Sequence, residues 1–95
     1  MKYQYDDETL ESEFQESIRK FNNLCKYDDT YHIFHIDLYG IYKQALFGDN
    51  TLEKPYWFFF RSVQKWNSWM KHFGKSKDDA KIEYVDFITN NIVHN

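Results

Sequence analysis

Residues 31 to 46 carry apolar side chains at the three- and four-residue spacing that is typical of an amphipathic helix. At about 100° per residue, one flank of this helix collects side chains suited to a core. They are Phe34, Leu38, Ile41 and Ala45. The adjacent flank collects Tyr39, Tyr42, Lys43 and Leu46. The segment therefore predicts a helix that packs on one flank and presents hydroxyl and ammonium groups on the other.

The rest of the chain predicts three more helices. A first helix ending near Leu24 is indicated by apolar residues at Leu10, Phe14, Ile18, Phe21 and Cys25. Asp28, Asp29 and Thr30 are a capping cluster for the second helix, which we expect to end at Gly48.

A third helix is expected from near Ser62 to Gly74, with an inward stripe of Val63, Trp66, Met70 and Phe73. A fourth follows the capping box Ser76-x-x-Asp79, with Ala80, Tyr84, Phe87 and Ile88 on its apolar side and Val85 and Ile92 at the margin. No segment alternates long enough to suggest a sheet, so the predicted fold class is all-α.

The connection between the second and third helices holds five consecutive aromatic residues, Tyr56-Trp57-Phe58-Phe59-Phe60. We expect most of this aromatic run to pack into the core or its loop. The alternative is an exposed patch that touches an acyl tail, a membrane or a partner, which would make the chain a helical interaction or membrane-docking module.

Length and charge limit the class of protein. At 95 residues, the chain is expected to form one domain over residues 1–95, with residues 1–8 frayed. A net charge of −3 argues against nucleic acid as a partner and against a polybasic membrane-surface protein. Residues 40 to 77 are nevertheless rich in bases, namely Lys43, Lys54, Arg61, Lys65, Lys71, Lys75 and Lys77. These bases are either ordinary solvated charge or a positive basin for an anionic ligand.

Cys25 is the only cysteine, which excludes an internal disulfide and fits a reducing compartment. The sequence has no secretory signal pattern and no apolar stretch of membrane-spanning length, so we expect a soluble cytoplasmic protein.

His32 and His35 stand three apart on the flank of Tyr39, but no third ligand is evident, so we expect no metal and interpret both as polar lining. No nucleophile beside a base is evident, so we expect no catalytic residues and no enzyme.

From the residues alone, the candidate site combines Tyr39, Tyr42 and Lys43 with Lys65 and Tyr84 from the later helices. Lysine attracts phosphate, tyrosine can donate to it, and an aromatic face can stack on a base, so a phosphorylated nucleotide is the natural ligand. The alternative is that the tyrosines are core aromatics and the lysines are solvent-facing charges.

The chain resembles the acyl-CoA-binding protein family at ordered, gap-free positions. They are Tyr39-x-x-Tyr42-Lys43-Gln44-Ala45-x-x-Gly48-Asp49, Pro55, Lys65-Trp66-x-x-Trp69, Ser76-Lys77-x-Asp79-Ala80 and Tyr84. The resemblance implies a four-helix bundle with a shallow bowl that binds medium- and long-chain fatty acyl-CoA thioesters without turning them over. It further implies an intracellular carrier and buffer, acting as a monomer without a cofactor, with transient contacts to a membrane or to acyl-CoA-using enzymes.

The resemblance also implies residue roles. Tyr39, Lys43 and Lys65 would bind the 3′-phosphate, Tyr42 would stack near adenine, and Tyr84 would contact the head group. The remaining candidate ligand-binding residues are Asn22, Ile18 and Ile36, with the acyl chain in an apolar groove. Two positions depart from the family pattern: Asn22 stands where the family often has a lysine, and His35 stands where relatives have a long apolar side chain. The preferred acyl length is therefore not predicted.

Overall fold

The computed structural model describes residues 6–92, which form four α-helices and one short 3-10 helix, with no strand among them. The α-helices are α1 (Asp7–Tyr27), α2 (His35–Phe47), α3 (Phe60–Met70) and α4 (Lys77–Asn91), and the 3-10 helix spans Asp29–Phe34. The predicted all-α class and its four helices are confirmed.

Helix α1 begins earlier and ends later than the apolar spacing predicts. Asp6 caps it by accepting a hydrogen bond from the Thr9 amide at 2.7 Å, so the helix starts at Asp7. The helix therefore includes residues 7 and 8 of the segment that we expect to fray, and residues 1–5 lie outside the described range. The helix runs on to Tyr27, beyond the predicted end at Leu24.

The second predicted helix is divided in two. Asp28 accepts from the Thr30 amide at 3.0 Å, as the capping cluster predicts, but it starts a 3-10 helix rather than α2. The α-helix begins only at His35 and ends at Phe47, followed by the C-cap Gly48, whose φ of +80° favours glycine. None of residues 29–34 is buried, so the predicted core role of Phe34 is only partly met: it packs at the edge of the core against Phe87.

Helix α3 has a different inward face from the predicted one. Its buried residues are Ser68 and Trp69, whereas Val63, Trp66 and Met70 are only half-buried. Phe73 is 60% exposed, because α3 ends at Met70 and the helical period does not continue into the turn before Gly74. Ser68 is buried because α3 approaches α2 closely at that point.

Helix α4 begins at its predicted capping box, where Ser76 Oγ accepts from the Asp79 amide at 3.0 Å. Val85 and Ile92, predicted at the margin, are buried with Ala80, Tyr84 and Ile88. Together with side chains of α1 and α2 they form one core, whose other members are Phe14, Phe21, Leu38, Ile41 and Ala45.

The helix packing leaves a concave region between α1 and α2. Helix α2 packs against α3 and α4, and α1 packs against α4, but the backbones of α1 and α2 do not come into contact. The 3-10 helix bridges their adjoining ends. The bundle is therefore open between α1 and the flank of α2 that carries Tyr39 and Tyr42.

Candidate ligand-binding site

Two adjacent cavities occupy this open side of the bundle. The first, of about 240 Å³, lies between α1, α2 and Tyr84 of α4. Its lining residues are Ile18, Phe21, Asn22, His35, Leu38, Tyr39, Tyr42 and Tyr84. The second, of about 660 Å³, lies between the 3-10 helix, α2 and α3, and is lined by His32, Ile33, His35, Ile36, Tyr39, Arg61, Gln64 and Lys65. His35 and Tyr39 line both, so the two cavities share a wall.

Seven of the eight residues predicted from the sequence line these cavities. Ile18, Asn22, Tyr39, Tyr42 and Tyr84 line the first. Ile36 and Lys65, again with Tyr39, line the second. Lys43 lines neither, but its ammonium group lies 5.7 Å from the centroid of the Tyr39 ring. The structure therefore brings the predicted set together at one side of the molecule.

The Lys43 and Lys65 ammonium groups meet around a single tyrosine. Lys65 Nζ lies 5.5 Å from the centroid of the Tyr39 ring, close to the corresponding distance for Lys43. Lys43 Nζ is also 4.7 Å from the Phe47 ring centroid and 5.4 Å from that of Trp69. Aromatic faces attract a cation without neutralising it, and no ion pair of the described residues involves either lysine. Both charges remain available to an anion.

A close crossing of α2 and α3 sets this arrangement. Gly40 donates its backbone N–H to Ser68 Oγ at 3.0 Å, and Ser68 Oγ donates to the Ile36 carbonyl at 2.5 Å. A β-carbon at Gly40 would overlap the Ser68 backbone carbonyl. Because Lys65 precedes Ser68 by three residues and Tyr39 adjoins Gly40, the crossing brings both side chains to the same place. Sequence reasoning missed Gly40 and Ser68 as positioning residues.

A second network fixes the end of α2. Gln44, which is fully buried, donates to Asp49 Oδ1 at 2.9 Å and to the Lys75 carbonyl at 2.6 Å. Asp49 also accepts from the Gly74 amide at 2.7 Å. The hydrogen bonds that Asp49 accepts, the larger contribution coming from Gln44 and the smaller from Gly74, lower the pKa of its carboxyl group. Trp69 Nε1 donates to the Gly48 carbonyl at 2.8 Å, so the α2 end is tied to α3 beside Lys43. The family motif quoted above includes Gln44, Gly48, Asp49 and Trp69. That these residues fix the end of α2 was not predicted.

Tyr84 and Tyr42 form the floor of the first cavity. Tyr84 is almost fully buried, and its ring meets Phe14 edge to face at 5.3 Å between centroids. Burial raises the pKa of Tyr84 above its ordinary value, which further favours the neutral phenol, the form that can donate a hydrogen bond. The Tyr42 ring lies 6.5 Å from that of Tyr84. Two tyrosine rings therefore line this cavity side by side.

The predicted positive basin is only partly assembled. Arg61 and Lys65 line the second cavity, with Lys43 beside it. Lys75, however, forms an ion pair with Glu83, and Lys54 Nζ lies 5.6 Å from the Trp66 ring centroid. Three of the seven bases thus meet at the candidate site. For the other bases the alternative of ordinary charge away from the site stays open, because position along the chain does not fix which side of a helix pair a base faces.

His32 and His35 have a third potential ligand that the sequence pattern did not indicate. The rings of the two histidines stack at 4.9 Å between centroids, and Cys25 lies next to them. The chain reversal between α1 and the 3-10 helix brings Cys25 back to these histidines. Burial and then the charge of His32 lower the pKa of His35, which favours its neutral form. Burial, with a smaller contribution from Asp29, raises the pKa of Cys25.

The aromatic run, residues 56–60, does not pack into the core. All five side chains are more than half exposed, with Trp57 at 77%. Their rings pack mainly on one another, as with Phe58 and Phe59 at 4.7 Å between centroids. The expected packing into the core is wrong, because none of these five residues belongs to the core cluster or packs against it.

No helix within residues 6–92 combines the length and apolar character needed to cross a bilayer.

Comparison with known proteins adds a family. The family model described as "Acyl CoA binding protein" matches residues 11–88. "Acyl-CoA-binding protein 2" of Saccharomyces pastorianus is 39% identical over 77 residues, which cover 81% of this chain and 86% of that protein. "Acyl-CoA-binding protein" of Saccharomyces cerevisiae is 37% identical over 75 residues, covering 79% and 84%. "Acyl-CoA-binding protein homolog" of Drosophila melanogaster is 33% identical over 81 residues, covering 83% and 90%.

Proposed function

The chain belongs to the acyl-CoA-binding protein family, and we propose that it binds fatty acyl-CoA thioesters of medium and long chain, without turning them over, as a monomeric carrier and buffer. The observation that carries this proposal is the meeting of Lys43 and Lys65 around Tyr39, next to two cavities. A nucleotide phosphate suits the two ammonium groups, neither of which forms an ion pair within residues 6–92, and a flat base suits the adjoining aromatic rings.

The proposed head-group site uses Lys43, Lys65 and the Tyr39 hydroxyl for the 3′-phosphate. A charge-assisted hydrogen bond contributes roughly 1.5–3 kcal/mol, so three on one phosphate explain selection of coenzyme A over a free fatty acid. Arg61 on the wall of the second cavity supplies a further cation for the other phosphates. Tyr42 and Tyr84 then offer aromatic surface and hydroxyls to the adenine side of the head group.

The acyl tail is proposed to lie against the half-buried side chains of Ile18 and Ile36, beside the head group. Each methylene removed from water contributes about 0.8 kcal/mol, so a tail of about sixteen carbons can outweigh the head group even when partly covered. Asn22 and His35 add polar edges to this wall. The phosphate therefore provides selectivity, and the tail provides most of the affinity.

Calorimetric titration with palmitoyl-CoA, coenzyme A and palmitate tests the proposal. We expect tight binding of the thioester, weak binding of coenzyme A and negligible binding of palmitate. Equal affinity for palmitate and palmitoyl-CoA would refute it. The same samples should contain intact palmitoyl-CoA after the titration, since the proposal assigns no turnover, and hydrolysis that survives repurification of the protein would contradict that part.

A second candidate function is docking of the same domain on an anionic lipid surface through the aromatic run. It is favoured by the exposure of all five rings and by the flanking cations Lys54 and Arg61. Aromatic rings insert at a membrane interface, and basic residues are attracted to anionic head groups.

Sedimentation with vesicles of phosphatidylcholine and phosphatidylserine tests this docking. Phe59→Asp should reduce the bound fraction several-fold, whereas Phe73→Asp, at another exposed phenylalanine, should not. If the wild-type protein does not sediment with the vesicles, or if both variants behave alike, the docking proposal is wrong.

A further inference from the structure

Three side chains able to ligate a metal converge where α1, the 3-10 helix and α2 meet. The Sγ atom of Cys25 and one ring nitrogen each of His32 and His35 all lie within 4.8 Å of one another. Cys25 is in the last turn of α1, His32 is in the 3-10 helix, and His35 is the first residue of α2. The ligand atoms therefore come from three consecutive elements, brought together by one reversal of the chain.

We propose that Cys25, His32 and His35 form a binding site for a borderline-soft divalent metal ion, and that Zn²⁺ is the ion which this donor set fits best. Zn²⁺ binds cysteine sulfur at about 2.3 Å and histidine nitrogen at about 2.0–2.1 Å, usually with tetrahedral geometry. Imidazole together with thiolate also selects against Mg²⁺ and Ca²⁺, which take oxygen ligands.

The geometry needs only a small adjustment to close around such an ion. Tetrahedral bonds of these lengths hold ligand atoms about 3.3–3.6 Å apart, so the cluster must contract by about 1 Å. The His32 side chain is 50% exposed and can rotate to provide this contraction. Cys25 and His35 are more constrained, because Cys25 packs against the core and the His35 ring meets Phe21 edge to face at 5.1 Å between centroids.

A fourth ligand or an outer partner is close at hand. Asp29 Oδ1 lies 3.8 Å from His32 Nε2, at the start of the same 3-10 helix. A carboxylate can complete a tetrahedral zinc site, or it can accept the second N–H of a ligating histidine and hold its ring. Water fills the fourth position if Asp29 takes the outer role. Either arrangement provides a full coordination shell.

The site adjoins the candidate ligand cavities. His35 lines both of them, so an ion on His35 would hold its ring at the shared wall. It would also join the end of α1 to the start of α2, whose backbones are otherwise not in contact. An effect of Zn²⁺ on acyl-CoA affinity rests on the proposed function, whereas the metal site itself does not.

Titration with Co²⁺ in the absence of acyl-CoA tests the site directly. We expect a saturable near-ultraviolet absorption from thiolate-to-cobalt charge transfer, with one ion per chain, which Zn²⁺ abolishes by displacement. Cys25→Ser should remove this absorption, and His32→Asn and His35→Asn should each weaken Co²⁺ binding at least tenfold. His72→Asn is the matched control at a histidine outside the cluster and should bind Co²⁺ as the wild type does.

A thermal-shift measurement tests the metal site without relying on the cobalt absorption. Zn²⁺ should raise the melting temperature of the wild-type protein and of His72→Asn, but not that of His32→Asn, whose exposed side chain supports no core packing. The proposal is overturned if Co²⁺ gives no saturable absorption, or if Cys25→Ser and His32→Asn respond to both ions as the wild type does.

Discussion

Gly40 illustrates how one residue positions the candidate site. Alanine usually stabilises a helix interior by about 1 kcal/mol relative to glycine. At Gly40, however, an added β-carbon would overlap the Ser68 backbone carbonyl, which cannot rotate away. Relief of such an overlap requires α2 and α3 to separate, and with them Tyr39 and Lys65.

We therefore predict that Gly40→Ala lowers the free energy of unfolding by about 1–3 kcal/mol, the range of overpacked cores. Urea denaturation followed by circular dichroism measures it. Ser12→Ala, at an exposed position of α1, is the control and should be neutral or slightly stabilising. A Gly40→Ala variant as stable as the wild type would show that the two helices do not approach as closely as described.

Lys43 is expected to act on the ligand rather than on the fold. Lys43 is half-buried, and its ammonium group lies near three aromatic rings without a carboxylate partner among the described residues. Lys43→Ala should weaken palmitoyl-CoA binding by roughly 1.5–3 kcal/mol in calorimetry. Lys71→Ala, an exposed lysine away from the cavities, should bind normally. Loss of helical content in Lys43→Ala would instead assign Lys43 to the core.

Asp49 should make part of the stability depend on pH. The pKa of Asp49 is lowered in the folded protein by the Gln44 amide and the Gly74 N–H. A depressed carboxyl pKa contributes stability above the unfolded pKa of about 3.9, and this contribution is lost as the pH falls through the folded pKa. Asp49→Asn should therefore reduce the melting temperature at pH 7 more than at pH 3. Asp37→Asn, at an exposed carboxylate of α2, is the control, and an equal loss at both pH values for Asp49→Asn would contradict the prediction.

At the scale of single residues, the sequence predicted which side chains lie on the same flank of one helix. Helical spacing alone places Tyr39, Tyr42 and Lys43 side by side, and the structure keeps them so. It does not pair residues from different helices. Gly40 and Ser68 are separated by 28 positions, and the spatial grouping of Cys25 with His35 depends on a chain reversal. Such contacts depend on tertiary packing, which no periodicity encodes.

At the scale of elements, capping residues were the most dependable signals. The Ser76-x-x-Asp79 pattern locates the start of α4, and the Asp28 cluster locates the start of the 3-10 helix. Apolar spacing was less reliable for α3, whose buried residues lie one or two positions away from the predicted stripe. A short helix on the edge of a bundle buries only a narrow face, so many of its apolar residues remain half exposed.

Ser76→Ala tests the value of such a cap. The Ser76 hydroxyl accepts from the Asp79 amide at the start of α4, the helix that contributes most of the core with α2. Its removal should lower the free energy of unfolding by about 0.5–2 kcal/mol, measured by urea denaturation. Ser12→Ala again serves as the control. A change no larger than that of the control would mean that the Ser76 hydrogen bond makes no net contribution.

At the scale of the whole molecule, the bundle was predictable because family resemblance covers nearly the whole chain. The exposure of the aromatic run was not predictable, because whether its rings are covered depends on how the other segments pack. The cavities likewise arise from an unfilled gap between α1 and α2, which is a property of packing. The central claim is that ammonium groups from α2 and α3 converge on one phosphate.

Calorimetry with palmitoyl-CoA and its 3′-dephospho analogue tests that claim most directly, in the wild type and in the Lys43→Ala/Lys65→Ala double variant. We predict that the wild-type protein binds the phosphorylated ligand more tightly, by at least tenfold, and that the double variant loses most of this preference, keeping only what the Tyr39 hydroxyl contributes. A double variant that keeps the wild-type preference for the 3′-phosphate would contradict the claim.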